Sequence, residues 1–158
     1  LTLDGCMLGS DGVVELPKFQ GLIGINLTHT MVNKVPDLKI LAGVTSLEEI
    51  DLGGSDFGDE GLAALCELKA LKSLQLGHVG RSDKTAMTTN GLKALQQLPK
   101  LELLTLHLFK LDEAMIPVFA ELKTVKEFKV GGVTKDFLAK LQKAMPNAKV
   151  ASRGPTID

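Results

Sequence analysis

Between Leu47 and Ala70 the apolar residues of this chain change period part way along, and the same change returns through almost the whole sequence. Leu47, Ile50 and Leu52 stand as L-x-x-L-x-L, and the alternation at Ile50 and Leu52 predicts a short strand with one buried face. After Gly53-Gly54, Leu62, Leu65 and Leu68 recur every three residues. That spacing predicts one buried stripe of a short helix, with Asp59 placed to cap its first turn. A strand–turn–helix unit of this size cannot bury both apolar faces alone, so it needs neighbours of its own kind.

The neighbours are in the sequence. The strand pair recurs at Leu1 and Leu3, Ile25 and Leu27, Ile50 and Leu52, Leu74 and Leu76, Leu104 and Leu106, and Phe128 and Val130. The column ahead of it reads Leu22, Leu47, Leu71, Leu101 and Val125, at intervals of 25, 24, 30 and 24 residues. Two helical columns keep step: Val13, Leu38, Leu62, Leu92, Ile116 and Leu138, then Leu16, Leu41, Leu65, Leu95, Phe119 and Leu141. A turn column of Leu8, Val32, Phe57, Met87, Leu111 and Val133 lies between strand and helix. Separate amphipathic helices in a bundle would not explain why the strand triplet returns with each helix, whereas stacked units bury every column in one core.

The L-x-x-L-x-L triplet followed by a turn and a helical segment resembles the leucine-rich repeat family. Within it, Asp51 to Leu65 is similar to a bacterial, planctomycete-like variety related to the ribonuclease-inhibitor and cysteine-containing types, and Leu141 to Val150 resembles a closing repeat. The resemblance implies an α/β fold: a right-handed solenoid of about six repeats, with parallel strands on the concave face and short helices on the convex face. It also implies a non-catalytic protein-binding scaffold. Where many such repeats carry a buried Asn or Cys after the strand, this chain has Cys6, Thr30, Ser55, Val79 and Phe109. That drift toward bulky apolar residues predicts that the turn re-routes in the C-terminal units.

Residues 1–150 are expected to form the repeat domain, and 151–158, which lack an apolar period, a C-terminal tail. Leu1 already aligns with Ile50, so the chain opens inside a unit, which suggests preceding sequence or a missing cap. Val35-Pro36 marks a one-residue insertion, with Pro36 suited to a first helical turn. The fourth unit carries six extra residues within Gly80 to Thr85, and the last lacks about two after Gly132.

Composition narrows the function classes. No run approaches the ~20 apolar residues of a membrane helix, so no membrane insertion is expected. The aromatic content is 4%, all Phe, and the net charge is -1, which argues against a dedicated nucleic-acid binder. Cys6 and Cys66 fall at different places in different units and are expected to stay unpaired. Two such thiols assign no redox compartment, and localisation stays open.

Motifs with chemistry are few. Gly80 to Thr85 ends in Lys84-Thr85 like a phosphate loop, but Asp83 stands where the loop needs Gly, so no nucleotide or other cofactor is expected. His29, His78 and His107 each fall near a strand end without Cys or carboxylate at ligand spacing, so no metal site is expected. Catalysis has no candidate elbow, His-Glu-x-x-His or paired acids, and the chain reads as a non-enzyme. Asn26-Leu27-Thr28 is formally a glycosylation sequon, but it lies inside a predicted strand.

The candidate surface is therefore the strand face opposite the buried columns. Its first strands offer Asp4, Asn26 and Thr28, then Glu49 and Asp51, then Ser73 and Gln75; the later ones offer Leu103, Thr105 and His107, then Glu127 and Lys129. Arg81 and Lys84 on the insertion join them as basic contacts. The expected partner is another protein or a peptide. The other reading is a structural spacer of a larger envelope or multidomain protein. Residues 1–79 hold 5 Lys against 11 Asp and Glu, a net of -6, and residues 80–158 hold 13 Lys and Arg against 8 acids, a net of +5. Stacking keeps such halves more than a Debye length of about 8 Å apart. The chain is expected to be a monomer, with weak head-to-tail contacts guided by that asymmetry.

Overall fold

The computed structural model describes residues 1–32, 34–55, 57–79, 87–108 and 111–157. Among the described residues six strands lie in one sheet in chain order: β1 (Gly24–Asn26), β2 (Glu49–Gly53), β3 (Ser73–Val79), β4 (Leu103–Leu108), β5 (Glu127–Val130) and β6 (Lys149–Ser152). Every neighbouring pair is parallel. Parallel neighbours need a crossover, and here each crossover is built on a helix. The helices are α1 (Ser10–Val13), α2 (Val35–Ala42), α3 (Asp59–Leu65), α4 (Thr89–Leu92), α5 (Ile116–Ala120) and α6 (Lys135–Ala144). The chain thus advances one strand per unit as a leucine-rich repeat solenoid, strands inside the curve and helices outside.

The register turns the sequence columns into stacked layers. Ile25, Ile50, Leu74, Leu104, Phe128 and Val150 are consecutive partners across the sheet, and Leu52, Leu76, Leu106 and Val130 form a second row. All but Val150 are buried in one continuous core. Phe119 on α5 closes on Phe128 edge to face, with centroids 5.0 Å apart at 62°.

Both ends differ from the spacing-based expectation. Leu1 and Leu3 do not begin a full strand: Thr2 meets Asn26 in an isolated bridge, flanked by Asn26 N–H to Leu1 C=O and Leu3 N–H to Asn26 C=O, both 2.9 Å. At the far end β6 adds a rung and takes in Ala151 and Ser152, the first residues of the segment expected as a tail. The sheet-side bonding then continues through Arg153 N–H to Val130 C=O at 2.8 Å, and Ile157 N–H reaches Val133 C=O at 3.0 Å.

Helices of four to ten residues are too short to persist alone, so their stability comes from stacking. Val13, Leu38, Leu62 and Leu92 are fully buried, as their column predicts. In the last two units the column slips: Met115 and Phe137 are buried, and Ile116 and Leu138 are only half-buried. The position before the column explains the slip. It holds Gly12, Gly61 and Gly91 in three units, where helices crowd their neighbours; a Cβ on Gly61 would come within 2.8 Å of both Leu38 and Phe57. Met115 and Phe137 put bulk in that slot, so it becomes the buried position instead. In the second unit the slot holds Asp37, 2% exposed, with Oδ2 unpartnered among the described residues.

Asp59 does not cap its own helix. The N-cap of α3 is Gly58, without a side-chain cap bond, and the Asp59 carboxylate reaches the next unit to accept from Thr88. Thr88 caps α4, its Oγ1 accepting from Asn90 N–H at 3.2 Å and Gly91 N–H at 3.3 Å. Pro36 sits in the first turn of α2, where its missing N–H leaves no bond unmade.

The position after the strand, Cys6, Thr30, Ser55 and Val79 in successive units, changes its surroundings as its residues do. Thr30 donates to Leu27 C=O at 2.7 Å and accepts from Val32 N–H at 3.4 Å, while the Ser55 hydroxyl is buried without a partner among the described residues. Further on, β3 and β4 lengthen to seven and six residues and their register shifts between Gly77 and Val79. Phe109 lies outside the described residues.

On the rim where helices return to strands, Lys72 Nζ lies 2.7 Å from Glu48, and Lys126 Nζ lies 2.7 Å from Glu102. The Glu48 hydrogen bond holds the Lys72 ammonium above its ordinary pKa, with Glu102 and Glu49 adding to it.

Candidate functional site: the strand face

Alternation along each strand leaves one set of side chains outside the core. Register groups them into rows. One row runs Gly24, Glu49, Ser73, Leu103, Glu127 and Lys149; the next runs Asn26, Asp51, Gln75, Thr105, Lys129 and Ala151. Most of the positions expected from the sequence are therefore side by side on one surface. Asp4 and Thr28 stand at its N-terminal corner and His107 at its far edge.

Accessibility divides them. Glu49 and Asp4 are exposed, and Asn26, Asp51, Ser73, Gln75, Leu103, His107, Glu127 and Lys129 are half-buried. Thr105 is only 3% exposed, so it belongs to the face by register yet offers a partner almost no surface. The Thr28 hydroxyl is likewise buried and unpartnered among the described residues. Arg81 and Lys84 lie outside the described residues, as do the side chain of His78 and the remainder of the insertion.

Hydrogen bonds hold the polar row in place. Asn26 Oδ1 accepts from Thr28 N–H at 2.8 Å and Asp51 Oδ1 from Gly53 N–H at 2.9 Å, so each side chain braces the end of its own strand. Gln75 Nε2 donates to Asp51 Oδ2 across the strand boundary. Asn26, the first residue of the formal sequon, thus has its side chain engaged in the sheet. Lys129 pairs with Glu127 at 3.2 Å, and His29, at φ 55°, lies 3.3 Å from Asp4. Around Asn26, Glu49, Asp51, Ser73 and Gln75 the face dips into a concavity of about 340 Å³.

Apart from His107, the strand-end row escaped the sequence reading. It contains Gly53, Gly77 and Gly131, a glycine strip buried under neighbouring side chains, with His107 standing in it as the register partner of Gly77. Packing enforces the strip: a Cβ on Gly77 would lie 3.2 Å from the Gly53 Cα, and one on Gly131 would lie 2.8 Å from His107 Nδ1. Arg153 crosses it from beyond β6, with a guanidinium nitrogen 3.6 Å from the Gly77 Cβ position. A residue assigned to a tail by its lack of period could not have been placed on this surface from spacing alone. The remaining signal was the run of glycines after the strand leucines.

Among the described residues no cluster of three or more His, Cys, Asp or Glu could hold a metal ion, and no helix is long and apolar enough to cross a membrane. The surface can therefore offer shape, hydrogen bonds and charge to a ligand.

No protein-family model matches the chain, and no curated protein matches it. Among solved structures it is similar to an internalin (inlF) from Listeria monocytogenes str. 4b F2365, with a TM-score of 0.56 at 15% identity. The match covers 92% of this chain and 46% of the internalin, so the chain spans about half of that protein's length. At that identity the likeness concerns the fold, and it supports the leucine-rich repeat architecture already evident in the sheet.

Proposed function

We propose that the chain is a protein-binding module whose strand face, together with the 80–85 insertion, receives another protein or a peptide. One observation carries this reading. Half-exposed polar side chains on adjacent strands form a single open surface, backed by a core that fixes their spacing. A rigid surface loses little conformational entropy on binding, which favours recognition. The Asp59-Glu60-Gly61-Leu62 stretch, with its Gly in a crowded slot, supports the bacterial repeat variety as the closer kinship.

The test is capture from an extract of the source cells on the immobilised chain, compared with two variants. Gln75→Arg fills the concavity, and Gln96→Arg changes the exposed convex side. A partner retained by the chain and by Gln96→Arg but lost with Gln75→Arg supports the reading. Retention indifferent to Gln75→Arg overturns it and favours a structural spacer.

A further inference from the structure

If the strand face is the binding surface, an unpaired acid at the start of its strands, Glu49, and an unpaired base at their ends, Arg153, specify what a partner presents there, with Lys149 a further exposed charge on β6. Glu49 is exposed and stands in the row nearest the strand starts, at the edge of the 340 Å³ concavity that Asp51 also lines. Among the described residues it makes no hydrogen bond or ion pair, whereas its neighbour Glu48 is taken by Lys72. Arg153 is exposed and equally without a partner among the described residues, and its guanidinium lies on the glycine strip at the strand ends. Between them stand Asp51, whose carboxylate is held by Gly53 N–H and Gln75, and the uncharged Ser73, Gln75, Leu103 and Thr105. Lys129, another base of the face, is occupied by Glu127.

The two sites are separated mainly along the strand direction. Glu49 and Gly53 are the two ends of β2, and Gly77 is the register partner of Gly53. Four residues of strand at about 3.3 Å each, and one strand spacing of about 4.8 Å, place the rows roughly 14 Å apart. An extended segment repeats its facing side chains every second residue, so positions i and i+4 match that span. At the strand ends an acid of the partner meets the Arg153 guanidinium, which is able to form a paired, charge-assisted contact.

We propose that the face binds an extended segment of a partner protein carrying a basic and an acidic residue four positions apart. The base enters the concavity beside Glu49, and the acid lies over the strand ends against Arg153. This rests on the strand face being the binding surface, and the test separates the two.

The test selects nine-residue display peptides, randomised at every position, on the full 158-residue chain. Affinities are then measured on the chain and on Glu49→Lys, Arg153→Glu and Gln75→Arg, each checked for unchanged thermal melting. Enriched peptides are expected to carry Lys or Arg and Asp or Glu four residues apart. Arg153→Glu should weaken them at least ten-fold, and changing the peptide acid to Lys should restore most of that loss. Glu49→Lys should act in the same way on the peptide base alone. Peptides that lose binding with Gln75→Arg but are indifferent to Arg153→Glu overturn this inference and leave the binding face intact. Peptides indifferent to all three variants, or a selection without enrichment, overturn both.

Discussion

The Asp59 carboxylate grips Thr88 of the following unit twice, accepting the backbone N–H at 2.8 Å and the hydroxyl at 2.6 Å. Through Thr88, which caps α4, one acid couples the starts of two successive helices. Gly91 completes the arrangement, because a Cβ there would overlap the Asp59 carboxylate.

Coupling of that kind is measurable as a double-mutant cycle. Asp59→Ala should cost about 1–2 kcal/mol in urea denaturation, the range of a lost cap or charge-assisted bond. Gly91→Ala should destabilise the parent chain by displacing the carboxylate. With Asp59→Ala present the cost should shrink, because the carboxylate is gone and only the residue-59 Cβ, 2.7 Å from the new Cβ, still crowds it. Equal costs in both backgrounds would show that Asp59 and Gly91 do not interact.

The register itself is tested by a pair of charges on opposite sides of the sheet. Leu52→Asp puts a charge among fully buried neighbours and should cost several kcal/mol. Ser73→Lys lies on the strand face directly across from Glu49 and should change stability by less than about 1 kcal/mol. Comparable losses in denaturant melts would place the strands one residue out of register.

The two thiols should react very differently. Both are free, Cys6 exposed and Cys66 fully buried. At pH 8 an alkylating reagent should modify Cys6 in the native chain and Cys66 only as fast as the chain unfolds; native-rate labelling of Cys66 would contradict its burial.

Cys66 also predicts an alkaline limb. Desolvation pushes its thiol from 9.0 up to about 12, the Lys69 charge opposing and the Glu67 charge adding. The folded state therefore keeps a proton that the unfolded state releases above about pH 9. The stabilising contribution is complete below pH 9 and is lost between pH 9 and 12, by up to about 4 kcal/mol. Cys66→Ala should flatten that limb while lowering stability at pH 7 through the cavity it leaves. An unchanged slope in alkaline urea melts would assign it to other groups.

Periodicity made the fold legible because every layer is one column of the sequence. Ile50, Leu74, Leu104 and Phe128 align by counting and meet by register for the same reason. Counting failed where a neighbour decides a residue's role. Asp59 looks like a cap because capping is local, but its bonds are 29 residues away. Ile116 and Leu138 keep the right spacing, yet burial follows the bulk of Met115 and Phe137. Most of the candidate face followed from strand alternation. Arg153 was invisible because its position depends on where the last strand ends rather than on any repeat.

The rim pairs have a consequence for how such a chain can change length. Reading along the axis, Glu48, Lys72, Glu102 and Lys126 stand at equivalent places ahead of β2, β3, β4 and β5, acid and base in alternation. Loss or duplication of a single interior unit would bring acid against acid or base against base along that edge. Loss or duplication of two adjacent units would restore the alternation. Exposed pairs contribute little individually, so the edge biases rather than forbids. Homologues differing by an even number of interior units should keep the alternating edge, while those differing by an odd number should show a charge substitution at the junction.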